Sequence, residues 1–94
     1  MKYVITRHDA LVEYLLEIGL IEQGNYELIV HATPEQIEGQ HVIGVLPLHL
    51  AAYAASVTEV PLSIPAELRG QELSIDQVRR FAGEPATYIV IKKE

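Results

Sequence analysis

Short runs of β-branched and apolar residues alternate with helix-like patterns along this chain, and few architectures accept that order. Lys2-Tyr3-Val4-Ile5 reads as a strand. After it, Leu11, Val12, Leu15 and Ile18 recur at helical spacing with Glu13 and Glu17 on the other side. Asp9 is the expected N-cap of that helix and Gly19 its expected stop. A Gly24-Asn25 turn leads into a second strand from Tyr26 to Val30, and Glu35 to Gln40 reads as a short helical turn closed by Gly39. A third strand, His41 to Leu46, meets Pro47, whose fixed φ suits the first turn of a helix expected over Leu48 to Ala55. Val57 to Leu62 reads as a fourth strand, with Pro61 at an edge or ending its ladder. A turn over Ala66 to Gly70, a Ser74-capped helix through Phe81 and a last strand over Thr87 to Ile91 complete the pattern. Strands alternating with helices predict an α/β fold with a mainly parallel central sheet flanked by helices and joined by right-handed crossovers.

Composition limits what such a fold can do. The 94 residues make one domain, spanning 1–94, and 49% apolar content suffices for one small core. A symmetric dimer is expected, because it would bury more surface and double a shallow site. The formal net charge of −6, from 7 basic and 13 acidic residues, argues against coating long DNA or RNA. A small anion is still compatible with it, since donors focused at one point set the local field. The absence of cysteine excludes disulfides and thiolate chemistry. No histidine pair or acidic cluster has metal-ligand spacing, so neither a metal nor a cofactor is expected. Phosphate loops and nucleophile elbows are missing as well. Nothing in Met1 to Thr6 resembles a signal segment, and the apolar run from Val42 to Ala55 is short and contains Pro47 and His49. A cytoplasmic protein without a membrane anchor is the expectation.

In parallel α/β sheets, ligands collect outside the carboxyl ends of strands, where helix N-termini present unpaired N–H groups. Three such ends can converge here: Thr6-Arg7-His8, His31-Ala32-Thr33, and Leu46-Pro47-Leu48-His49. Arg7 offers a fixed fork for phosphate or carboxylate, and His8 titrates near neutrality and can move protons. Each has a plainer alternative. Arg7 can pair with Glu13, Glu17 or Glu59 on the surface, and His8 can bond a neighbouring carbonyl. His49 can face the ligand or the core; His31 is a weaker candidate; His41, at a strand start, belongs at the opposite edge. The Arg69-Gly70 loop with Glu67 and Glu72 fits a helix end with a surface ion pair, and Arg79-Arg80 fits a solvated helix face.

Three segments in this order resemble one known family: Val4-Ile5-Thr6-Arg7-His8, Val42 to Ala52, and Ile64 to Leu73. It is the small single-domain CRISPR-associated ring nuclease family found beside type III systems, related to CARF-type ligand-binding domains. The resemblance covers Tyr3 to about Val78. It implies a single Rossmann-like, CARF-like domain that forms a homodimer and linearises a cyclic oligoadenylate, cyclic tetra-adenylate above all, to switch off type III signalling. Carried over by position, it makes Arg7 and His8 catalytic and gives ligand contacts to Thr6, Gly44, Leu46, Pro47 and His49. In the family a Pro-Gly pair often follows the first histidine; here Asp9-Ala10 sets a carboxylate beside the expected anion site. Two other functions fit the same residues: a non-catalytic sink for the messenger, and a protein-interaction module using the alanine-rich helix.

Overall fold

A computed structural model describes residues 2–93; Met1 and Glu94 lie outside the described residues. Strands β1 (Lys2–Ile5), β2 (Tyr26–Ile29), β3 (His41–Gly44), β4 (Ser56–Glu59) and β5 (Ala86–Tyr88) form one sheet in the order β2-β1-β3-β4-β5. β1 pairs in parallel with both β2 and β3, β3 pairs in parallel with β4, and β5 runs antiparallel to β4. Helices α1 (Asp9–Glu17), α2 (Pro34–Ile37), α3 (Leu48–Ala51) and α4 (Ile75–Phe81) and a 3₁₀ turn at Ala66–Leu68 make the connections. The chain is therefore the small α/β domain, with a mainly parallel sheet, that the alternating pattern predicts.

Two apolar cores follow from the pleat. Successive strand residues face opposite sides of a sheet, and β3 shows the consequence. Ile43 joins Val4, Leu11, Leu15 and Val78 beneath α1 and α4, whereas Val42 joins Ile37, Ala51 and Val57 beneath α2 and α3. Leu15, Ile37, Val4, Val42 and Val78 are fully buried, and each such side chain contributes about 1.5–3 kcal/mol by leaving water. Covering both faces is what a parallel sheet requires, because its crossover helices lie on the faces.

The order 2-1-3 also fixes where the chain changes direction across the sheet. β1 is central, and its crossovers leave to β2 on one side and return to β3 on the other. The space outside the carboxyl ends of β1 and β3 is a topological switch point, the position where doubly wound sheets bind ligands.

Several boundaries differ from the sequence expectation. β3 stops at Gly44 rather than Leu46, because Gly44, the last residue paired with β1, takes φ +143 and turns the following chain out of the ladder. α3 ends at Ala51 rather than Ala55. Tyr53 and Ala54 donate to carbonyls only three residues back, the Ala55 N–H turns to Gln40 O at 2.8 Å, and Tyr53 O accepts from Gly39 N. These bonds bend the alanine-rich segment directly into β4. β4 ends at Glu59 instead of Leu62, with Pro61 unable to donate to the ladder and Leu62 making one isolated antiparallel bridge to Ala82. β5 is Ala86–Tyr88 rather than Thr87 to Ile91. At the start of α1 the N-cap is His8, in extended backbone, and Asp9 occupies the first helical turn, where its charge suits the helix dipole. Among the described residues no helix is long and apolar enough to cross a membrane.

Candidate functional site at the carboxyl ends of the strands

The chain leaving β1 turns at Thr6, whose Oγ1 accepts a hydrogen bond from His8 N at 3.1 Å. That bond holds His8 extended at the cap, and His8 O then accepts from Leu11 N and Val12 N to begin α1. No side chain caps the helix here. On β3, Gly44 sits beside Ile5 in register. A Cβ at Gly44 would run into the Ile5 carbonyl oxygen, and φ +143 is strained for any other residue. Glycine therefore lets the two strand ends lie close and the chain diverge sharply after them.

The divergence leaves a cavity of about 630 Å³ outside β1, β2 and β3. Of the residues expected at the site, Thr6, Arg7, His8, Gly44, Leu46 and Pro47 line it, and so does His31. The three strand ends converge as their placement in the sequence predicts. His49 lies elsewhere: it is exposed and lines a second hollow on the outer side of α3. His41 lies at the amino end of β3, with Nδ1 2.6 Å from Ser56 Oγ. Asp9 is exposed and does not line the cavity, so its carboxylate is not part of the wall. The wall also takes Leu11 from α1 and Val60 and Leu62 from the segment after β4, which sequence reading missed. Their signal was present, since Val60-Pro61-Leu62 follows a strand's carboxyl end as the other three contributors do.

Arg7, His8 and His31 are the ionisable side chains that line this cavity. Among the described residues Arg7 makes no ion pair; both ion pairs found belong to Arg79, which grips Glu17 on α1 and Asp76 on its own helix. The Arg79 fork holds the Glu17 carboxyl below its usual range, chiefly by hydrogen bonding, and raises the guanidinium in turn. Arg79 is thus a clasp between α1 and α4, where the sequence suggested only a solvated face. Arg7 and the His8 ring have no such partner among the described residues, and they share the wall with Thr6, His31 and the apolar Ile5, Val30, Leu50, Val60 and Leu62. A cationic fork and a proton-transfer group beside an apolar surface can bind a phosphate that carries a base or ribose.

The family model described as "Putative CRISPR-associated protein (Cas_VVA1548)" matches residues 3–91, a span that includes the whole cavity wall. The chain belongs to this CRISPR-associated family. No curated protein and no solved structure matches it.

Proposed function

We propose that this CRISPR-associated protein is a ring nuclease that binds cyclic oligoadenylate, cyclic tetra-adenylate above all, and opens the ring. The observation that carries the reading is that Arg7 and His8 line one cavity at the switch point with neither side chain engaged elsewhere among the described residues. Membership of a CRISPR-associated family supports the substrate class.

The chemistry needs no metal. A ribose 2′-oxygen attacks the adjacent phosphorus, the P–O5′ bond breaks, and a 2′,3′-cyclic phosphate and a free 5′-hydroxyl remain. The 2′-hydroxyl loses a proton and the 5′-oxygen gains one. His8 moves protons between these oxygens and solvent, an exchange of the kind that accelerates reactions by roughly 10²–10⁴-fold. Arg7 stabilises the negative charge that builds on the phosphorane oxygens. The remaining wall holds the nucleotide so that attacking and leaving oxygens lie in line. A homodimer would set two such cavities before one symmetric ring.

Incubation with cyclic tetra-adenylate in the presence of a chelator tests this. Linear product ending in a 2′,3′-cyclic phosphate supports it; an intact ring after prolonged incubation at enzyme excess overturns it. Stoichiometric binding without cleavage would make the protein a sink, and no affinity at all would leave a protein-interaction module. His8→Ala should slow cleavage more than it weakens binding, whereas Arg7→Ala should weaken both.

A further inference from the structure

Outside the strand-end cavity lies a second hollow, of about 690 Å³, bounded by α3 and by the chain after β5. Leu48, Tyr53, Val90 and Ile91 supply its apolar surface, and His49 and Lys92 stand on it. Leu48 is 76% exposed, Ile91 83% and Tyr53 49%, so large apolar groups face water side by side. Clustered exposure of this kind marks a binding surface. The electrostatics are equally local. Among the described residues no carboxylate lines the hollow, although the chain carries 13 acidic residues against 7 basic ones. The segment from Gln40 to Thr58, which supplies Leu48, His49, Ala52 and Tyr53 to the hollow, contains no Asp, Glu, Lys or Arg. Among the described residues neither His49 nor Lys92 makes an ion pair.

We infer that this hollow binds a nucleotide-type anion: a flat aromatic body bearing a phosphate. Tyr53 offers a face for stacking, which is worth about 1–3 kcal/mol per base where measured. Leu48 and Ile91 line the same hollow and add apolar surface, and Lys92, a compact charge on a flexible stem, and His49 line it as partners for the phosphate. An uncharged apolar molecule would leave both polar groups unanswered. Inorganic phosphate would leave the apolar wall in water. The hollow is separate from the Arg7–His8 cavity, since no residue lines both. The inference therefore does not depend on the ring nuclease reading.

Titration of the isotopically labelled protein with adenosine 5′-monophosphate, followed by backbone amide resonances, tests it. Saturable shifts at Tyr53, Ile91 and Lys92 are expected, with adenosine alone and inorganic phosphate alone binding at least tenfold more weakly. Lys92→Glu and Tyr53→Leu should each weaken this binding at least fivefold and leave cleavage of cyclic tetra-adenylate unchanged. Shifts confined to Thr6–His8, or binding indifferent to both substitutions, would overturn the inference. So would shifts at Tyr53 and Ile91 that follow protein concentration instead of nucleotide, because a second copy of the chain would then be the occupant. Loss of cleavage with intact binding in the hollow would count against the proposed reaction alone.

Discussion

The two ends of the sheet carry polar side chains of similar kinds and treat them oppositely. At the amino end His41 Nδ1 lies 2.6 Å from Ser56 Oγ, and farther along β4 Thr58 Oγ1 lies 2.8 Å from Thr87 Oγ1, so polar groups there satisfy one another across the strands. His41 and Ser56 are register partners on β3 and β4, as are Thr58 and Thr87 on β4 and β5. At the carboxyl end, Arg7 and the side chains of His8 and His31 face a cavity, and among the described residues none of them has a hydrogen-bonding or ionic partner within the chain. Paired polar groups contribute to cross-strand stability, roughly 0.2–1 kcal/mol per pair. Unpaired ones that face a cavity remain open to water or to a ligand. A histidine's identity says little; its partners decide between these roles.

That contrast can be broken most directly at His8. His8→Ala should reduce cleavage of cyclic tetra-adenylate by about 10²–10⁴-fold while leaving the urea unfolding midpoint nearly unmoved, and His41→Ala should do the reverse. Equal losses of activity from both histidines would erase the distinction between the two ends.

Gly44→Ala tests whether close approach of β1 and β3 builds the cavity floor. The added Cβ meets the Ile5 carbonyl oxygen at a φ that disfavours side chains, so a stability loss of about 3 kcal/mol should appear in denaturant unfolding, with ligand affinity falling alongside. A fully stable, fully active variant would show that the strand ends can separate without harm.

Smaller effects belong to the paired end. Ser56→Ala removes one partner of an exposed hydrogen bond and should cost about 0.5–1.5 kcal/mol in thermal or chemical unfolding, with cleavage unchanged. A change in cleavage would connect the amino end to the reaction.

The smallest effect concerns the Arg79 clasp between α1 and α4. Because Glu17 titrates below its ordinary value of 4.5 in the folded protein, its stabilising contribution is complete above that value and disappears as pH falls through the lower folded value. Unfolding midpoints of the native protein and Arg79→Ala should differ at pH 7 and converge as the solution is acidified below pH 4.5. A difference independent of pH would mean that Arg79 acts by packing alone.

Much of the fold was legible because its signals are local. Val4 and Ile5 before a helical pattern, the Thr33-Pro34 and Ser74 starts, and the glycines at 19 and 39 each act through neighbours in the chain. The site was legible for the same reason, since Thr6-Arg7-His8 and Leu46-Pro47 sit at strand ends, and strand ends in a parallel sheet share one side. His49 was not placed by sequence, because a residue in the first turn of a helix can face either way and only the packing of α3 on the sheet turns it outward. The length of α3 was likewise hidden. Its alanines favour a longer helix, but the Ala55 bond to Gln40 and the Tyr53 bond to Gly39 come from residues more than a dozen positions away.

The order of strands and helices, the glycines that must turn and the residues at each strand's end are settled by the sequence, since each depends on periodicity or backbone freedom within a few residues. Tertiary structure alone decided which polar groups find partners and which are left facing a cavity. Partnership depends on register between strands distant in the chain: His41 meets Ser56 because β3 and β4 align there, and Arg79 meets Glu17 because α4 packs on α1. Arg7 and His8 stay open because the chain diverges after β1 and β3 and brings no described carboxylate to them.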